Sequence, residues 1–251
     1  MWSHRRSPVV LFVVGLILAS AAHARAQGQT DDYRWFAEVA IGVAPSINGN
    51  VNSGAIGTLQ GQTAAILPNT YGDVYGTGLD LRFGGGYVLD KDSEVRGIFT
   101  YQSADADLVR LGDIGPSSLY SQYSDYKSFS LDFGYRRYIP VGTPGLRVFG
   151  EATLGIGFIS RIDAAFAAPQ SNLIFTSTDF YDRTAAFTWG LNGGVLLRVA
   201  EQVDVTAQIG LRHVGGLAEI DQFVGTGLED INNDSARLTV PFVVGARVRF
   251  K

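Results

Sequence analysis

The sequence predicts an all-β protein, an eight-stranded antiparallel transmembrane β-barrel with short turns at one end and long loops at the other. Three observations carry that reading. Stretches of about ten residues alternate apolar with polar or small residues, the length and period of a tilted membrane strand. After residue 26 no apolar run is long enough for a membrane helix. Short and long connections alternate regularly along the chain.

The first residues set the compartment. Met1 to Ala26 begin with Arg5 and Arg6, continue with an apolar run from Val9 to Leu18 and end in small residues, the layout of a secretory signal peptide. Ala22-His23-Ala24 and Ala24-Arg25-Ala26 both offer an A-x-A cleavage pattern, so the mature chain is expected to start at Arg25 or Gln27. The apolar run falls short of the ~20 residues a spanning helix requires, and Ser7-Pro8 after the arginine pair does not suit a twin-arginine signal. The expected organisation is therefore a signal peptide over 1–26 and one barrel domain over 27–251.

Eight alternating stretches lie at 35–44, 77–88, 94–104, 127–138, 146–158, 184–199, 203–213 and 237–250. The first places Trp35, Ala37, Val39, Ile41 and Val43 on one face, and the second Leu79, Leu81, Phe83 and Tyr87. The fourth repeats the pattern with Phe129, Leu131, Phe133 and Tyr135. The seventh does so with Val203, Val205, Ala207, Ile209 and Leu211, and the eighth with Leu238, Val240, Phe242, Val244, Ala246, Val248 and Phe250. The opposite face holds charges, hydroxyls and glycines, among them Gly42, Gly84, Gly86, Gly134, Gly155, Gly190, Gly194, Gly210 and Gly245. In hydrocarbon only helices and closed barrels satisfy every backbone hydrogen bond, so the greasy face is expected to meet lipid and the polar face to line the lumen. A soluble barrel would reverse the faces. Small lumen residues and two sets of aromatics at the strand ends, Trp35, Tyr87, Tyr135 and Phe250 against Tyr101, Phe129, Phe158, Phe187 and Trp189, favour the membrane arrangement.

The connections 89–93, 139–145 and 200–202 are short and carry turn formers such as Asp90-Lys91-Asp92-Ser93 and Pro140-Val141-Gly142. The segments 45–76, 105–126, 159–183 and 214–236 are long. Short periplasmic turns and long external loops are the expected asymmetry, with both termini in the periplasm.

With this layout and the terminal strand from Thr239 to Phe250, the chain resembles the small outer membrane barrels of the OmpA/OmpX/OmpW-like type. The resemblance implies a bacterial outer membrane location and contact with outer membrane lipids and lipopolysaccharide. It also implies an assembly signal in the last strand, carried by Phe242, Val248 and Phe250 and read by the barrel assembly machinery. Lys251 follows Phe250, a departure from a chain ending in phenylalanine. No peptidoglycan-binding domain follows the barrel.

The inward charges are the candidate site. An eight-stranded barrel has an interior just wide enough for side chains to fill, and unpaired buried charges each cost several kcal/mol. Glu38, Asp80, Asp132 and Glu151 are therefore expected to interlock with Arg82, Arg96, Arg136, Arg147 and Arg198, with Arg247 on the same face, as a salt-bridged plug. The alternative reading is a narrow path for ions or small apolar solutes.

Other chemistry is thin. Cysteine is absent, which excludes lipoprotein acylation, disulfides and thiolate chemistry. Cleavage removes Arg5, Arg6 and Arg25 from the 20 basic side chains and none of the 24 acidic ones, and the acidic balance argues against nucleic acid. After the signal segment His213 is the only histidine. A lipid A modifying enzyme would pair it with a serine, and no serine or carboxylate stands at close spacing. Asp230-Ile231-Asn232-Asn233-Asp234-Ser235 is similar to the opening of a calcium loop but has Ser235 and Pro241 where such loops need glycine and glutamate. The uncharged first loop, Pro45 to Tyr71, reads as flexible cover. The third loop, with Ala164-Ala165-Phe166-Ala167-Ala168 and Leu173-Ile174-Phe175, is apolar enough to bind a surface ligand or to extend the barrel. The expectation is a monomeric structural and surface-interaction protein without cofactor, metal or catalytic site.

Overall fold

The computed structural model describes residues 33–171, 173–232 and 235–251. The expected signal peptide lies outside the described residues. No helix among them is long and apolar enough to cross a membrane, and the architecture is almost entirely strand.

The chain starts with β1 (Trp35–Asn48). The first long loop folds into β2 (Asn50–Asn52), β3 (Ala55–Leu59), β4 (Gln62–Ile66), β5 (Asn69–Thr70) and a one-turn helix α1 (Tyr71–Tyr75). β6 (Thr77–Asp90) and β7 (Ser93–Ala104) form a hairpin, and β8 (Leu108–Ile114) and β9 (Ser117–Tyr123) form the second loop. β10 (Tyr126–Pro140) and β11 (Leu146–Ile159) come next, followed by β12 (Ile162–Ala168) and β13 (Leu173–Asp182) in the third loop. β14 (Thr184–Arg198) and β15 (Val203–Val214) lead into the fourth loop with β16 (Ala218–Glu219), and β17 (Arg237–Thr239) and β18 (Phe242–Phe250) end the chain.

The barrel closes in the order β1, β6, β7, β10, β11, β14, β15 and β17/β18, with β1 and β18 pairing antiparallel from Trp35↔Phe250 to Val43↔Phe242. The eighth strand is continuous in sequence pattern but broken in structure, because Pro241 has no N–H to give the ladder. At the break the Val240 N–H donates to the Pro45 carbonyl and the Gly210 N–H to the Pro241 carbonyl, so pairing continues on both sides. Other strand ends agree with the alternation within four residues, the largest difference being β1, which runs to Asn48 instead of residue 44.

The faces fall as the alternation predicts. Val39, Ile41, Phe83, Leu131, Phe133, Leu154, Ile156, Phe187, Leu191 and Ile209 are exposed on the outside. Trp35 packs edge-on to Tyr87 at 4.9 Å at the lower end, and Phe99, Phe129 and Phe158 stack in a row toward the upper end. The alternating apolar face of β1 from Trp35 to Val43 spans roughly 20 Å at the usual strand rise and barrel tilt, matching an apolar band about 25 Å tall.

The first long loop is not the flexible cover expected of it, and the third extends the barrel upward together with the other long loops. Their strands form a second sheet in the order β16, β13, β12, β9, β8, β4, β3. The fourth loop returns to the far edge of that sheet, where Thr58 donates its N–H to the Thr226 carbonyl and Ser53 to that of Ile231. The result is a folded crown above the barrel. Its interior is apolar and includes Val51, Ile66, Leu111, Ile114, Leu119, Ile162, Phe166, Phe180, Leu228 and Ile231. In the crown the apolar side faces in, because water lies outside it; in the barrel it faces out, because lipid does. Ala44, Ala104, Tyr126, Ile159, Ala186 and Val214, inward at the tops of six strands, mark the change.

Inward glycines make room for inward rings. Phe36 stands opposite Gly86, where an added Cβ would lie 2.6 Å from the ring and 2.2 Å from the Val95 carbonyl oxygen; Phe149 stands opposite Gly194 with a 2.6 Å approach. Gly86→Val is therefore expected to destabilise the barrel by about 1–3 kcal/mol through overpacking. A lowered urea midpoint of the refolded protein checks this, and an unchanged midpoint would mean that Phe36 has somewhere else to go.

Candidate functional site

The lumen is built from the side chains that each strand turns inward, and the antiparallel register brings distant residues to one height. At mid-barrel Arg136 is fully buried. Its Nε lies 2.8 Å from Glu151, and its Nη1 lies 3.5 Å from Glu94 and 3.8 Å from Glu38. Arg96 lies between Glu38 at 3.3 Å and Glu151 at 3.1 Å. Below, Arg247 approaches Glu94 at 2.7 Å and Asp204 at 3.5 Å, while Asp204 also receives Arg249 at 3.1 Å and Arg198 at 3.7 Å. Above, Arg212 pairs with Asp132 at 3.0 Å, and Arg82 with Asp80 at 2.8 Å.

Neutral groups fill much of the remaining hydrogen-bonding capacity. Ser130 and Thr188 donate to Asp132, Gln102 donates to Asp80, and Asn192 donates to Glu151. Arg247 also donates to the Tyr138 hydroxyl. Aromatic rings support the cations: Arg136 lies 3.8 Å above the Phe149 ring and Arg247 3.7 Å above that of Phe36. Such cation–π contacts strengthen when the ring and the guanidinium are away from water.

Of the expected network, Glu38, Asp80, Arg82, Arg96, Asp132, Arg136, Glu151 and Arg247 are brought together in the buried lumen. Arg198 reaches Asp204 from the lower rim. Among the described residues Arg147 forms no ion pair with a carboxylate, contrary to the expectation. It is the second residue of β11, opposite Pro140 at the rim, where its guanidinium lies 4.0 Å from the Tyr138 ring and donates to the Lys91 carbonyl. Glu94, Asp204, Arg212 and Arg249 are members that the sequence analysis did not place in the network. The signal for them was present: Glu94 shares a face with Arg96 at a spacing of two residues, and Asp204 shares one with Gln208 and Arg212, which follow at even spacing along β15. Phe242, Val248 and Phe250 all project outward along β18.

The crown roofs this lumen. At the junction Arg237 is buried, donates from Nε to Ser46 Oγ at 3.0 Å, and lies 4.1 Å from the Tyr126 ring and 5.5 Å from that of Tyr71. Four tyrosine hydroxyls tie the loops together. Tyr71 donates to the Ser235 carbonyl, Tyr75 to that of Ser124, Tyr123 to Asn52 Oδ1, and Tyr181 to the Val51 carbonyl. Burial pushes the phenols of Tyr71, Tyr75 and Tyr123 above the ordinary tyrosine range, so they remain neutral donors.

Two other motifs have structural work. Asn232 donates from its amide to the carbonyls of Phe180 and Ile220, and Ser235 Oγ accepts the Leu217 N–H. The rest of the calcium-like segment includes Asn233 and Asp234, which lie outside the described residues. His213 stacks nearly flat on Trp189, centroids 5.4 Å apart, beside Leu238 on the outer face near the upper rim.

Closed ladder, lipid-compatible exterior and charged, filled interior together define a small transmembrane β-barrel of the outer membrane type. No family model and no curated protein matches the sequence. Among solved structures the chain is similar to neisserial surface protein A, at 13% identity over 86% of this chain and 97% of that one, with a TM-score of 0.45. It is also similar to the outer membrane protease OmpT from Escherichia coli, at 7% identity over 90% and 100% of the two chains and a TM-score of 0.44. For the outer membrane protein OprG from Pseudomonas aeruginosa the values are 12%, 87%, 97% and 0.43.

Proposed function

We propose that this chain is a non-conducting barrel that works as a membrane-embedded pedestal, presenting a folded crown to the outside of the cell and adding to the integrity of the membrane. The observation that carries this reading is the filled lumen. Carboxylates and guanidiniums from seven of the eight barrel strands cross-link its interior, Asp80 and Arg82 of β6 pair with each other above them, and an apolar crown lies directly over it. An ion entering would have to displace charges already paired in a low dielectric, which costs several kcal/mol for each pair opened. The crown's outer side is where surface contact would be made, and it leaves Ile56, Leu108, Ile174 and Val224 each more than 60% exposed.

In planar bilayers the purified protein is expected to give no unitary conductance. Discrete openings in the wild-type trace would overturn the plug and favour the narrow-channel reading. The lipid-modifying alternative rests on His213, whose ring is engaged by Trp189 and lacks a hydrogen bond to any serine or carboxylate among the described residues. Deleting the gene is expected to leave the lipid A mass spectrum unchanged, and a new acylation state that returns to normal with wild type but not with His213→Ala would restore the enzyme.

A further inference from the structure

The outer wall carries a notch that barrel packing does not explain. Across β10, β11, β14 and β15 one row of register partners reads Arg137, Gly150, Gly193 and Ile209. Together with Ala152 and Tyr135 they border an open groove of about 520 Å³ on the lipid side. The inward glycines are small because a side chain there would strike a ring or a carbonyl. Gly150 and Gly193 are different. A Cβ at Gly150 would meet nothing within 4 Å, one at Gly193 only the Phe149 carbonyl at 3.9 Å, and neither residue has a positive φ. Glycine weakens a strand interior, so with no steric demand from inside, the space these residues leave serves something outside.

A second feature borders the same groove. Arg137 points outward from β10 and is exposed, yet Ile139, Val148 and Val195 lie on the same outer face nearer the periplasmic end. The charge stands two residues beyond Tyr135 of the lower aromatic set, at the periplasmic edge of the apolar belt. Its guanidinium makes no hydrogen bond or ion pair with any described residue. Its charge is felt by Asp90, which already accepts from Ser93 Oγ and the Asp92 N–H. An arginine on the lipid face is costly, by an amount that falls toward the interface, and its long stem allows the head to reach headgroup level. Guanidinium geometry matches phosphate.

We propose that the groove is a binding site for one phospholipid of the periplasmic leaflet, its phosphate on Arg137 and an acyl chain lying over Gly150 and Gly193. The unpaired cation identifies an anionic headgroup, and the open apolar notch beside it identifies the tail. A free phosphate would use only the first, and a second copy of this chain only the second.

The test is native mass spectrometry of the detergent-purified protein titrated with phosphatidylglycerol, using wild type, Arg137→Gln and Gly150→Val. Both variants change only the lipid face, and heat-modifiable mobility on gels verifies that each has folded. Wild type is expected to hold one lipid, and each variant to hold it about tenfold more weakly, the loss of one charge-assisted contact or of the notch. Equal retention by all three would overturn the site. Displacement of the lipid by glycerol phosphate at equal concentration would also overturn it, by reducing it to a free-anion site. A dimer that disappears in Gly150→Val would assign the notch to a second copy instead.

Discussion

Replacing Arg136 with methionine is expected to lower the unfolding free energy by about 3–5 kcal/mol, the penalty for leaving buried charges unpaired. The side chain is fully buried and meets Glu151 at 2.8 Å, Glu94 at 3.5 Å, Glu38 at 3.8 Å and Gln208 at 3.2 Å, with its guanidinium over Phe149. Methionine keeps much of the volume, so the effect reads charge and not a cavity. Three carboxylates would then share Arg96 and Arg247. Urea titration of protein refolded into lipid vesicles measures the change. Arg136→Met combined with Glu151→Gln should recover part of the loss, because one of the exposed charges is removed with the cation. A single variant within about 1 kcal/mol of wild type, the range of solvated ion pairs, would mean that water and not protein neutralises these groups.

The second large effect is expected in the crown. Phe180 is buried at 1% exposure and meets Tyr181 at 5.1 Å, Tyr123 at 5.4 Å and Phe166 at 6.3 Å. Phe180→Ala removes the ring that joins β13 to β9 and β12, and large-to-small changes of this kind cost about 3–5 kcal/mol. The two cores differ in kind, apolar in the crown and ion-paired in the lumen, and they meet at one layer around Tyr126 and Arg237. The cost should therefore fall on the crown alone. Protease added to intact cells is expected to cut within the crown of the variant and spare wild type, while the barrel keeps its heat-modifiable mobility. Loss of that mobility as well would show that the two form a single cooperative unit.

The lumen was legible at the level of faces. Two-residue periodicity assigns Glu38, Arg96, Arg136 and Glu151 to one side of their strands, and closure in hydrocarbon then puts that side inward. Which carboxylate meets which guanidinium depends on register and tilt, set by hydrogen bonds between strands far apart in sequence. That is why Arg147 stays at the rim while Glu94 and Asp204 enter the network. The aromatic rings Phe36, Tyr138 and Phe149 in the lumen were not foreseen. Apolar in type, they break the polar rule of their face, and only the facing Gly86 and Gly194 reveal that two of them fit.

The loops show the opposite balance. Short uneven strands such as Ala55–Leu59 and Gln62–Ile66 carry weak alternation, and each is unstable until neighbours from other loops complete its sheet. Their apolar residues read as scattered until the fold gathers Ile66, Leu119, Phe166 and Ile231 into one core.

What the sequence determined by itself is the barrel: strand number, which face meets lipid, where the chain turns, and the presence of charge in the lumen. These follow from a period of two residues and from the rule that no backbone polar group in hydrocarbon may go unpaired. What the tertiary structure decided is the crown, the pairing of the lumen charges and the notch beside Arg137. Each of these depends on groups brought together from different strands and loops, and local pattern contains no record of that distance.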